Sequence, residues 1–210
     1  MDGENGKNMK FNIKSLLISL MGILIMTLGV SLTVKSEVGA GAYDSINFGL
    51  ANLFKINISI AIWITSFSIV IIASILRRKF LKLTTFLTAI IVGISTDMWV
   101  MMVKNIALNT IFEKVFAFSI GICLVSMGVA IYIIPKLPAN PTDDLMVALT
   151  EEKGISIMKA KLTIDTICII IAFALKGPIG IGTIIATILI GPLIQIINKL
   201  IVNIFPQYIE

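Results

Sequence analysis

The sequence contains no histidine. Its commonest general base and metal ligand is therefore missing, which excludes a Ser-His-Asp triad and a His-ligated zinc site. Cysteine is scarce as well. Cys123 and Cys168 each sit inside an apolar run, with no CxxC or other metal spacing, and read as packing residues. Charge is thin, at 14% of residues, against about 25% for soluble domains. No long polar stretch is left to build a soluble domain. Without histidine, paired carboxylates or a nucleophile motif, no enzymatic activity, cofactor or metal is expected.

What the chain has is apolar sequence, 57% of it, gathered into long runs. Six of them approach the 17–25 residues that cross about 30 Å of hydrocarbon. They are Ser15–Val34, Ile56–Leu76, Leu83–Val103, Val115–Ile134, Ile155–Leu175 and Ile181–Ile197. The first exceeds the usual h-region of a signal peptide and reads as a retained span behind a polar tail, residues 1–14. In lipid each segment must satisfy its own backbone, so the spans are helices. They are too long, and too little alternating, for barrel strands.

The net charge of +5 does not indicate nucleic acid, because the basic residues flank apolar runs instead of sharing one face. With six spans and the N-terminus inside, the cytoplasmic segments hold Lys7, Lys10, Lys14, Arg77, Arg78, Lys79, Lys82, Lys136, Lys153, Lys159, Lys161 and Lys199. The outer segments hold Lys35, Lys55, Lys104, Lys114 and Lys176. Twelve against five predicts a multi-pass protein of the cell membrane with both termini cytoplasmic.

Two polar breaks interrupt this pattern. Pro138-Ala139-Asn140-Pro141-Thr142-Asp143-Asp144 follows the fourth run, and Gly39-Ala40-Gly41-Ala42-Tyr43-Asp44-Ser45 follows the first. Asp44 and Asp143 are 99 residues apart, as are Gly29 and Gly128, Leu50 and Leu149, Leu76 and Leu175, and Thr84 and Thr183. Ile58-Ser59-Ile60 matches Ile155-Ser156-Ile157 across a two-residue gap. The matches predict a duplication into halves 15–104 and 115–204 within one membrane domain. Three spans per half force the second copy to enter upside down. The expected fold is an all-α membrane protein of six transmembrane helices, arranged as two inverted three-helix repeats. Each repeat carries a short broken or interfacial helix after its first span.

Asp44, Pro141 and Asp143 suit helix starts, with the two aspartates read as caps. Two readings of the breaks stand. They are interfacial loops leading into capped amphipathic helices, or half-helices entering the membrane, where irregular backbone must be covered by protein or line a cavity. Pro-Ala-Asn-Pro has the wrong order and place for the half-helix signature of water channels. An intramembrane carboxylate costs a few kcal/mol, which makes it a functional candidate by default. The candidate solute or ion contacts are Asp97, Asp44, Asn140, Asp143, Asp165 and Gln195, with Asp97 the strongest single choice. Lys161 and Asp165 also read as a plain i,i+4 pair, and Gln195 and Asn198 as helix–helix hydrogen-bonding residues. Gly22, Gly29, Gly121 and Gly128 repeat a seven-residue spacing and predict close helix packing. Pro192 predicts a kink in the sixth span.

The pattern resembles the YczE/YyaS/YitT group of bacterial multi-pass membrane proteins, above all its YczE-like branch. The residues that carry this are Gly29-Val30 before the first break, and Gly128-Val129 before Pro-x-x-Asp-Asp-Leu-Met. Gly177-Pro178-Ile179-Gly180-Ile181-Gly182-Thr183 and Ile190-Gly191-Pro192-Leu193-Ile194-Gln195 complete the set. The resemblance implies an integral membrane fold and brings no settled substrate. Two functions fit: a small-solute permease with a midplane site between the repeats, or a non-transporting accessory protein serving a partner membrane system. The expected partners are the lipid bilayer, a small molecule or ion, and a second copy or membrane partner; nucleic acid is not expected.

Overall fold

The computed structural model describes residues 13–78, 80, 83–135 and 140–204. The tail to residue 12 and Pro138-Ala139 of the second break lie outside the described residues. Eight α-helices and no strand occur among them: α1 Ile13–Lys35, α2 Ala42–Phe54, α3 Ile58–Arg77, α4 Leu83–Val103, α5 Ile111–Ile133, α6 Pro141–Lys153, α7 Ile157–Ala174 and α8 Ile181–Ile204. Five are long and apolar enough to span a membrane: α1, α3, α4, α5 and α8. The helix α7, with Lys159, Lys161 and Asp165, is not one of the five. Large apolar side chains such as Phe116, Phe173, Ile184 and Ile188 point outward. That is the surface of a protein whose outer solvent is lipid.

Local chemistry sets the boundaries. The helix α5 starts at Ile111, four residues before the apolar run, because Thr110 and Glu113 form a reciprocal capping box. Pro192 lies inside α8, which continues through it to Ile204. The short helices α2 and α6 are both 13 residues long and begin 99 residues apart, at Ala42 and Pro141. The N-caps of α3 and α7, Asn57 and Ser156, are also 99 apart. The structural register is thus constant, and the shifted match of Ile58-Ser59-Ile60 to Ile155-Ser156-Ile157 is not the one the helices follow.

The centre of the molecule is the α1–α5 crossing, where glycines let two backbones touch. A Cβ on Gly29 would lie 2.6 Å from both Gly121 O and Val125 N. One on Gly22 would lie 2.6 Å from Tyr132 N and 2.8 Å from Gly128 O, and one on Gly121 would lie 2.6 Å from Thr33 Cγ2. Contact positions rise along α1 as they fall along α5, so the two helices are antiparallel. The contacts also exchange under the 99-residue shift: Gly22–Gly128 becomes Gly121–Gly29, and Gly22–Tyr132 becomes Gly121–Thr33. The same correspondence relates the outer packing. The helix α4 lies on α1 as α8 lies on α5, α6 packs on α3 as α2 packs on α7, and α2 meets α3 as α6 meets α7. The clearest departure is that α3 packs closely along α4, while α7 and α8 share little contact among the described residues.

Candidate solute site

Each short helix is positioned by close backbone contact or by charge. The first break is clamped onto the turn between α7 and α8. Ala40 N donates to Pro178 O at 3.1 Å and Gly182 N donates to Val38 O at 3.0 Å. Gly39 has φ +139°, and a Cβ there would lie 2.6 Å from Thr183 N, so only glycine fits. The Gly177–Thr183 element is therefore the dock for the opposite half's break. At Gly41 a Cβ would come within 2.7 Å of Asp44 Oδ2; its absence lets the Asp44 carboxylate fold back over the first turn of α2.

The expected caps sit elsewhere. The N-caps of α2 and α6 are Gly41 and Asn140, and neither helix has a side-chain cap bond. Asp44 and Asp143 are each three residues further on, in the first turn, with Pro141 supplying the fixed φ suited to the opening position of α6. Their carboxylates are thus free of the capping role. Asp143 Oδ2 instead accepts from the Tyr132 hydroxyl of α5 at 2.8 Å.

Both aspartates face the same helix. Ala42 and Ile46 of α2 pack with Ile164, Cys168 and Ala172 of α7, flanked by Leu145, Met146 and Leu149 of α6. On α7, Lys161 Nζ donates to Asp165 Oδ2 at 2.9 Å. Asp44 and Asp143 both interact electrostatically with Lys161 and Asp165. The thiol of Cys168 lies in the same field. The Asp165 side chain is 14% exposed and that of Lys161 42%, while Asp44 and Asp143 are half-buried. Asp44 and Asp143 thus lie within electrostatic range of the Lys161–Asp165 pair, with two helix N-termini adding partial positive charge. Next to them, Tyr43 Oη lies 3.0 Å from Thr65 Oγ1 and 2.9 Å from Ser66 Oγ, and Thr65 Oγ1 donates to Asn47 Oδ1 at 2.6 Å. Among the described residues, no three acidic or thiol groups are placed to hold a metal ion.

The other candidates lie apart. Asp97 uses both carboxylate oxygens on the start of α3, accepting from Ile58 N at 3.0 Å and Ser59 N at 3.2 Å. It acts as a borrowed N-cap, supplied by the neighbouring helix α4. Gln195 is exposed on α8, and Asn140 stands at the head of α6, where its carbonyl accepts from Asp144 N at 3.0 Å. The sequence reading brought forward neither Tyr132, Tyr43 nor Asn47. Arg77 was counted only as a surface charge, yet it is 8% exposed and bonded to Asp144.

Comparison with known proteins agrees with this membrane architecture. The chain is 34% identical over 184 residues to "Uncharacterized protein YyaS" of Bacillus subtilis (strain 168), covering 86% of this chain and 90% of that one. It is 29% identical over 175 residues to "Uncharacterized membrane protein YczE" of the same organism, covering 83% and 80%. An uncharacterized protein of Haemophilus influenzae is 27% identical over 193 residues, covering 90% and 85%. No solved structure matches. A family model matches residues 13–199, and the chain belongs to that family, the family of unknown function DUF6198.

Proposed function

We propose that this protein is a small-solute permease of the cell membrane, built from two inverted three-helix repeats with both termini in the cytoplasm. Its site lies where the first turns of α2 and α6 face the middle of α7. The observation that carries this reading is that α2 and α6, with Asp44 and Asp143 at matching places in their first turns, both pack on α7, the helix that bears the Lys161–Asp165 pair. Three carboxylates and an ammonium inside a lipid-facing bundle carry an insertion cost of a few kcal/mol each, and a binding role accounts for keeping them. The exchange of α1–α5 contacts under the shift supports the inversion. Short helices whose N-termini face polar groups between two inverted halves suit alternating access around a fixed site. The charge excess on the cytoplasmic side supports the orientation.

The test is reconstitution into liposomes and a broad panel of labelled solutes, followed by Asp44→Asn, Asp143→Asn and Asp165→Asn. Uptake of one solute class should fall at least about tenfold in each variant, as expected for removing one group of a buried polar network. Uptake of nothing on the panel, or uptake indifferent to all three changes, would refute the proposal.

A second reading has one observation of its own. In the apolar span of α8 only 6% of the residues are buried inside the chain, against 50% in α1 and α5. A helix so bare suits a second copy or a membrane partner. Stoichiometric co-purification of one partner, lost on placing Trp at Ile188, would favour it.

A further inference from the structure

The buried ion pair between α3 and α6 is a feature the solute site does not use. Arg77, in the last turn of α3, donates from Nη1 to Asp144 Oδ2 at 2.7 Å and from Nη2 to Asp144 O at 2.9 Å. Its Nε lies 3.4 Å from Glu151 Oε2, two turns further along α6. The side chains of Arg77 and Asp144 are 6% and 10% exposed. A buried pair is weak evidence of stability, because desolvation offsets the attraction; its best-attested uses are register and switching.

The corner related to this one by the 99-residue shift is built differently. There Asp144 is replaced by Ser45 and Arg77 by Lys176. Ser45 Oγ donates to Pro178 O at 3.3 Å. The Ser45 backbone rests against Gly177, with no room for a Cβ. One corner is thus held by charge and the other by backbone contact. Consecutive residues on a helix point about 100° apart. On α6, Asp143 accordingly faces Tyr132 and the α7 charges while Asp144 faces Arg77. A separation of α6 from α3 that leaves α7 in place would therefore move Asp143 relative to Lys161 and Asp165.

We infer that Arg77, Asp144 and Glu151 form a releasable lock that closes the polar cluster on the side of the chain's N-terminus. The side follows from Ser19 Oγ, near the start of α1, which donates to Tyr132 O at 3.4 Å, beside the head of α6. This inference rests on the cluster being the proposed solute site, but its test reads no transport.

Cys168, 6% exposed and next to Asp44 and Asp165, is the built-in reporter. In a Cys123→Ala background, a membrane-impermeant cationic methanethiosulfonate is added to inside-out or right-side-out vesicles, and Cys168 labelling is followed by mass spectrometry. Arg77→Ala should raise the labelling rate at least about tenfold from the N-terminal face only, the signature of a shifted two-state population. Arg77→Lys, which keeps the charge and loses the fork, should give a smaller rise. The charge-reversed pair, Arg77→Asp with Asp144→Arg, should return the rate towards that of the parent. An unchanged rate in Arg77→Ala and Arg77→Lys overturns the lock, and so does a rise equal from both faces, which would mean general loosening. If Arg77→Ala does not fold, Arg77→Lys and Asp144→Asn decide the same question. A one-sided rise in a protein that moves no solute keeps the lock and removes the permease.

Discussion

Gly29→Ala should destabilise the protein, although alanine is the better helix former. Two effects oppose each other. Replacing glycine within a helix gains about 0.5–1 kcal/mol from reduced backbone freedom. Against that, the new Cβ would stand 2.6 Å from Gly121 O and Val125 N. Ordinary contact begins near 3.4 Å, so the shortfall is 0.8 Å (3.4 − 2.6). Both obstructing atoms belong to the backbone of α5, so no rotamer change relieves them and the helices must part. Overpacking of this kind costs about 1–3 kcal/mol. The net loss is up to about 2.5 kcal/mol once propensity is subtracted. At roughly 2–4 °C per kcal/mol for a chain of this length, melting falls by up to about 10 °C. Gly191→Ala is the control, since nothing lies within 4 Å of a Cβ there. No contact with another helix opposes the change at that position, and the propensity gain is offset by the following Pro192, so this variant should melt close to the parent. Gly22→Ala combined with Gly29→Ala should cost less than the sum, because helices already parted by one methyl accommodate the second. The assay is thermal unfolding in detergent, followed by fluorescence of an introduced dye or by loss of the monodisperse peak. Equal losses for Gly29→Ala and Gly191→Ala, or strict additivity of the pair, would refute the claim that backbone contact at the α1–α5 crossing sets stability.

Two further outcomes follow from the polar contacts. Asp97→Asn keeps one acceptor for the Ile58 and Ser59 amides and loses the charge facing a helix start. Melting should drop by an amount equivalent to about 1 kcal/mol while uptake by the intact protein stays unchanged; lost uptake at full stability would return Asp97 to the site. Lys114 pairs with Glu37 in the break after α1 and holds its carboxyl below the ordinary value of 4.5. A depressed folded value means that the pair stabilises above that pH and its contribution disappears as pH falls below it. Lys114→Gln should therefore remove part of the acid-side decline in melting temperature, and an identical pH profile would show the pair to be inert.

The legible and illegible parts of this molecule divide by distance along the chain. Leu83–Val103 was bounded correctly because an apolar run between polar residues needs no partner to be recognised. The glycine spacing was legible for the same reason, as a local pattern with one physical use. The capping contact of Asp97 is not legible, because its partners, the amides of Ile58 and Ser59, lie 39 and 38 residues away on a helix start that spacing does not reveal. Asp44 and Asp143 were taken for caps because the cap position depends on where Gly41 and Pro141 turn the backbone. The buried role of Arg77 is hidden because it opens a basic cluster, Arg77-Arg78-Lys79, that reads as flanking charge. Yet the 99-residue register holds a further signal, namely where the matched positions differ. Under the 99-residue shift Asp44 and Asp143 coincide, but Asp165 answers to Ser66, Lys161 to Ile62, Tyr132 to Thr33, Asp144 to Ser45 and Arg77 to Lys176. Several positions where the matched residues differ in charge or size, among them Asp165, Lys161, Tyr132 and Asp144, build the polar cluster on α7 and the ion pair beside it. Positions that match under the shift serve both sets of helices, whereas positions that differ are free of that demand, and in this chain Asp165, Lys161, Tyr132 and Asp144 are among them.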